Sequence, residues 1–133
     1  MIERISPVGA PAPRGPYSPA VRAGDCIYVA GQISIDPITQ TVVKGDVRVE
    51  TRQVLTNIKN ILEACGASLG DVVRCGVYLV DADDFKPMNE VYAEFFGEAK
   101  PARTTIIVAA LPLKDAKVEI DAVAYKPRQA PSR

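Results

Sequence analysis

The chain has 133 residues, the length of one domain and enough to bury a core without metal or disulfide staples. Lys+Arg and Asp+Glu both total 16, so the net charge is zero and there is no long-range pull on nucleic-acid phosphates or anionic lipid. There is no histidine, which excludes Ser-His-Asp and Cys-His nucleophile systems and removes the usual ligand of catalytic zinc.

The chain opens with Ile2, Glu3, Arg4, three early prolines and Arg14, with no apolar core of a signal peptide. No later run approaches the ~18 apolar residues of a membrane span. The expected location is the cytoplasm, with no membrane and no nucleic-acid partner. Pro7, Pro11, Pro13, Pro16 and Pro19 make residues 6–19 an extended arm, because proline lacks the amide donor and biases its predecessor away from helix. Cys26 to Ala30 reads as a strand closed by Gly31. Turn signals follow at Asp36-Pro37 and at Lys44-Gly45-Asp46.

A helix is expected over 47–65, where Val54, Leu55, Ile58, Ile61, Leu62 and Cys65 form one stripe at period 3.6, with Gly66 as a left-handed cap. A second is expected over 84–96, with Phe85, Met88, Tyr92, Phe95 and Phe96 on one side. Asp83 or Asp84 starts it, Pro87 falls in its first turn and Gly97 ends it. Val72 to Val80 and Thr104 to Leu111 are apolar at both parities, apart from Arg74, and read as strands covered on both faces. The last strand, 117–125, alternates. Val118, Ile120, Ala122 and Ala124 suit the helix side, and Glu119 points the other way. Two helices cover one face of the sheet, so the other, still largely apolar, predicts self-association. Residues 1–126 form the expected single domain and 127–133 a flexible tail.

Cys26, Cys65 and Cys75 are odd in number and widely spaced, which supports neither a disulfide framework nor a zinc site; inert packing is the plainer reading. Asp81, Asp83 and Asp84 lack the Gly and distal Glu of a calcium loop and suit helix capping. The glycine-proline loops carry no nucleotide-binding fingerprint. No metal and no cofactor are expected.

Arg103 opens a strand after Pro101-Ala102, and its planar fork matches a carboxylate. Parity groups it with Thr105, Ile107 and Ala109, and Glu119 of a neighbouring strand is expected on the same face. A plain Arg103–Glu119 salt bridge or a solvated strand-end arginine accounts for the same pattern. Glu119 stands among apolar neighbours, where burial raises a carboxyl's pKa toward values useful in proton transfer, or it faces solvent as an ordinary strand residue. Tyr17 offers a phenol to a ligand or anchors the arm. The residues alone do not choose between these readings.

In order and spacing the motifs resemble the Rid family, the reactive-intermediate deaminases also called YjgF-like proteins. They are G-P-Y-S-P-A at 15–20, Y-V-A-G-Q-I at 28–33, N-x-x-x-I-L-x-x-x-G at 57–66 and V-V-R-x-x-V-Y-L-V-D at 72–81. D-F-x-x-M-N-x-x-Y-x-x-F-F at 84–96, P-A-R-T at 101–104, L-P at 111–112 and V-E-I-x-A-x-A at 118–124 complete them. The likeness runs from Ile5 to Lys126. It implies an α+β, chorismate-mutase-like (ferredoxin-like) sheet with two helices on one face. It further implies a homotrimer whose other sheet faces form a central barrel, with ligand clefts between subunits.

The implied activity is cofactor-independent hydrolysis of enamine and imine acids, such as 2-aminoacrylate, 2-iminopropanoate and 2-iminobutanoate, to 2-keto acids and ammonia. Such imines are released by pyridoxal-phosphate enzymes, a functional link without a stable complex. The resemblance assigns Arg103 to the substrate carboxylate and Glu119 to the attacking water, with Tyr17, Ala30, Gly31, Asn89 and Thr105 lining or supporting the cleft. Pro19, Ala30 and Thr105 stand where many members have Gln, Ser and Cys, which bears on substrate preference. Alternatives within the resemblance are deaminases of aminomuconate or pyrimidine-breakdown intermediates and a non-catalytic ligand-binding or chaperone-like trimer. An RNA-cleaving activity is also attributed to the family, but zero charge and absent histidine argue against it here.

Overall fold

The computed structural model describes residues 1–128. Six strands form one mixed sheet: β1 (Ile2–Ile5), β2 (Ala20–Ala23), β3 (Cys26–Gln32), β4 (Val72–Leu79), β5 (Ala102–Ile107) and β6 (Val118–Tyr125). Their order is β1-β2-β3-β6-β4-β5. Every pairing is antiparallel except β4–β5, which is parallel because a helix carries the chain back over the sheet between them. The two helices, α1 (Val47–Ala64) and α2 (Phe85–Phe96), pack on one face, as the stripe patterns lead one to expect.

α1 follows its sequence signals closely. The Asp46 carboxylate accepts from the Val49 N–H at 3.0 Å, satisfying one of the amide donors that a helix start leaves open. At the other end Gly66 takes φ +82°, with Gly66 N–H on Glu63 O and Ala67 N–H on Leu62 O, the paired bonds of a left-handed stop. Val54, Leu55, Ile58, Ile61 and Leu62 are wholly buried, against Ile27, Val77, Val118 and Ile120 of the sheet. α2 starts differently from expectation. Asp81 caps a short 3-10 turn through Asp83 N–H at 2.9 Å, while Asp84, at the N-cap of α2, makes no side-chain cap bond. Arg48–Glu90 and Arg52–Glu94 tie the two helices on their outer sides. Both pairs are about half exposed and each adds little stability.

The arm expected over 6–19 carries no strand, and β1 and β2, which no signal in the sequence marks, pair on either side of it. Two expectations change. β5 begins and ends earlier than expected, at Ala102 and Ile107, although Val108 N–H still bonds Leu79 O at 2.7 Å. It is also not covered on both faces. It lies at the sheet edge with one neighbouring strand, and Ile106 and Ile107 stay exposed.

Residues 129–133 of the expected tail lie outside the described residues. Just before them, Lys126 N–H bonds Asp25 O and Arg128 pairs with Glu3 of β1. Among the described residues no helix is long and apolar enough to cross a membrane.

Candidate functional site

Glu119 reaches into a cleft of about 380 Å³ formed between the arm and the β3–β6 pair. A bulge in β3 shapes it. Val29 pairs with Ala122 and Gln32 with Ile120, so Ala30 and Gly31 together face the single residue Asp121. A Cβ at Gly31 would sit 3.0 Å from Glu119 Cδ and closer still to Oε2, so only glycine lets the carboxyl lie against β3. The arm closes over this point. Ala30 N–H donates to Pro19 O at 3.0 Å, and the Tyr17 hydroxyl accepts from Arg14 N–H at 3.2 Å while the phenol lines the cleft. Tyr17 thus both anchors the arm and faces the cavity. Burial first, then the charge of Asp121, raises the Glu119 pKa above the ordinary glutamate value.

Arg103 stands elsewhere. Its guanidinium carbon lies 4.7 Å from the ring centre of Tyr92 and 5.7 Å from that of Phe85, both on α2, so the cationic plane is held against aromatic faces. Phe85, Asn89 and Tyr92, at helical spacing, share one stripe of α2, which puts Asn89 between the two aromatic supports. The side-chain oxygens of Asn89 and Tyr92 are buried with no hydrogen-bond partner among the described residues. Burial, then the neighbouring Cys75 thiol, pushes the Tyr92 phenol's pKa up. Thr105 follows Arg103 on the same strand row.

The expected common face for Arg103 and Glu119 is not what one chain has. Cys75 of β4 pairs with Arg103 of β5 and with Ala122 of β6; Tyr78 pairs with Ile106 and with Glu119. Cys75 and Ala122 belong to the buried helix side, so Arg103 is on that side too, while Glu119 lies on the open face. No Arg103–Glu119 salt bridge forms among the described residues. The candidate residues therefore fall into two groups: Tyr17, Ala30, Gly31 and Glu119 at the cleft, and Asn89, Arg103 and Thr105 at the β5 edge.

Sequence reasoning missed two groups. The helix pattern puts Phe85 and Tyr92 on one side of α2 without linking them to Arg103; Tyr92 is buried, and Phe85 is exposed at 43% beneath the Arg103 guanidinium. Asp121 shares the parity of Glu119, a visible signal, but its role depends on β4. Its carboxylate accepts from Gly76 N–H at 2.8 Å and from the Tyr78 hydroxyl at 2.9 Å. A Cβ at Gly76 would fall 2.8 Å from that carboxylate.

One chain thus has an open cleft beside a half-buried carboxyl and, on the other face of the sheet, an arginine on an aromatic support at the edge. Residues 8–126 match the family model described as Endoribonuclease L-PSP. A RutC family protein of Pyrococcus horikoshii is 58% identical over 126 residues, 95% of this chain and 99% of that one. A 2-iminobutanoate/2-iminopropanoate deaminase of Bos taurus is 46% identical over 92% of this chain and 88% of its own length. The crystal structure of RidA from the Antarctic bacterium Psychrobacter sp. PAMC 21119 superposes with a TM-score of 0.88 at 43% identity, covering 92% of this chain and 98% of that one. The chain belongs to the Rid family of YjgF-like proteins.

Proposed function

We propose that the protein hydrolyses 2-imino acids to 2-keto acids and ammonia without a cofactor, in clefts completed by a second copy of the chain. The observation that carries this reading is Glu119, a half-buried carboxyl kept from easy ionisation in a small, mostly apolar cleft. Such a group holds a proton more readily than a free glutamate, and imine hydrolysis requires a group that takes up and returns protons.

An imine acid already has an electrophilic carbon. The site must hold its carboxylate, deliver water and move protons. Arg103 supplies the anchor, since a guanidinium braced on Tyr92 and Phe85 loses little freedom when it takes a bidentate carboxylate. The ionised Glu119 takes a proton from water as its oxygen bonds to the imine carbon. It returns that proton to the nitrogen, giving the carbinolamine, and then relays the hydroxyl proton to the same nitrogen as the C–N bond breaks, so that the carbonyl forms and ammonia leaves. One imine acid and one water yield one keto acid and one ammonia. An enamine enters the same sequence after protonation at its β-carbon.

Arg103 and Glu119 of one chain lie on opposite faces of the sheet, so a cleft using both draws them from different copies. The open face exposes Tyr28, Ile106 and Tyr125, apolar surface suited to such an assembly, and a homotrimer with the sheets forming an inner barrel satisfies both needs. The test couples a serine or threonine dehydratase, which releases the imine, to keto-acid detection. Added protein accelerates keto-acid formation, and Arg103→Ala lowers kcat/KM by ~100-fold, the effect of losing a bidentate charged contact. No acceleration by the wild type across several amino-acid-derived imines would replace this reading with a ligand-binding one.

A further inference from the structure

The cleft over Glu119 contains one cationic lining residue, Arg14, in walls built largely from Ile33, Ile35, Pro112 and Leu113. Arg14 is braced from two sides. Its Nη2 donates to Gln40 O at 3.2 Å, and its own backbone N–H donates to the Tyr17 hydroxyl at 3.2 Å. Gln40 is itself fixed. Its Oε1 accepts from Ala12 N–H at 2.9 Å, its Nε2 donates to Pro37 O at 2.6 Å, and its backbone sits in the left-handed region at φ +59°. A left-handed glutamine carries a conformational cost that these bonds offset. The bracket spends one of the guanidinium's five N–H donors and leaves the others.

An anion entering apolar walls needs a paired donor, and Arg14 is the lining group that offers charge. We infer that Arg14 receives a second acidic group of the substrate, so that the cleft selects 2-imino acids bearing a side-chain carboxylate. This rests on the imine-deaminase reading. Arg103 of a second copy holds the carboxylate next to the imine carbon, Glu119 serves that carbon, and Arg14 holds the far end. The cleft's volume is at the small end of the about 300–1,000 Å³ typical of ligand pockets, in keeping with a short dicarboxylate. The reaction balances as before: one dicarboxylic imine and one water give one dicarboxylic keto acid and one ammonia.

The test compares imines made in situ by amino-acid oxidases from acidic and from aliphatic amino acids of similar length, with semicarbazide trapping the imine that escapes hydrolysis. The readout is the ratio of kcat/KM for the dicarboxylic imine over the monocarboxylic one. Arg14→Ala lowers that ratio about tenfold, the size of one charged hydrogen bond near solvent. Arg14→Lys keeps part of it, and Arg14→Glu lowers it further. An unchanged ratio in Arg14→Ala, with the wild type active on both imines, overturns the Arg14 assignment and leaves the deaminase reading standing. A wild type inactive on both overturns the two together.

Discussion

Glu119 and Asp121 project from the same face of β6, and a glycine makes room for each carboxyl: Gly31 on β3 for Glu119 and Gly76 on β4 for Asp121. The two carboxyls then diverge. Asp121 accepts two hydrogen bonds, and the one from the Tyr78 hydroxyl, with burial, raises the Tyr78 pKa. Glu119 accepts no such bond among the described residues; it is desolvated and lies near the Asp121 carboxylate, so its pKa rises. Tyr78 and Arg74 on β4 and the arm's Arg14 and Tyr17 are ionisable groups around them. If the ionised Glu119 activates water, activity is lost as pH falls through its raised pKa, so the acid limb of kcat/KM lies above the ~4.3 of a free glutamate. Asp121→Asn removes a neighbouring negative charge, makes Glu119 easier to ionise and moves that limb to lower pH; a pH–rate profile beside a thermal melt separates this from misfolding. Gly31→Ala forces the Glu119 carboxyl off its seat, and kcat should fall at least tenfold while Tm changes by only a few degrees.

At the scale of elements, α1 is where local signals and tertiary packing agree. Asp46→Ala should cost about 1 kcal/mol in urea unfolding, the worth of an N-cap bond. Gly66→Ala should cost about 1 kcal/mol for a different reason: a Cβ there meets nothing within 4 Å, so the loss is the strain of φ +82° alone. The same agreement explains what was legible. The α1 stripe and the alternation of β6, buried at Val118, Ile120, Ala122 and Ala124, are local periodicities that burial then enforces. β1 and β2 have four residues each and no such period. β2 also buries Arg22, whose guanidinium donates to Cys65 O at 3.1 Å and Lys126 O at 2.8 Å, partners remote in sequence. The motifs name the candidate residues of the site, and parity puts Arg103 and Glu119 on one face. Their actual faces were not legible, because the face that Arg103 presents is fixed by the parallel register of β5 on β4, a non-local fact.

For the whole molecule, that register turns a sequence pairing into a question of assembly. The proposed trimer has three equivalent clefts, each taking Arg103 from one copy and Glu119 from the next. Arg103→Ala and Glu119→Ala homotrimers should both be nearly inactive while keeping the trimer mass in light scattering. When the two variants are dissociated together and reassembled at equal amounts, a cleft is intact only if its arginine comes from the Glu119→Ala chain and its glutamate from the Arg103→Ala chain. Random cyclic assembly makes that so for about one quarter of clefts, so about a quarter of wild-type activity returns. A site built within one chain gives no recovery at any mixing ratio, since every chain then lacks one of its two groups. The opposed faces of Arg103 and Glu119 favour recovery, and the recovered fraction separates a cleft shared between neighbours from any arrangement in which each copy acts alone.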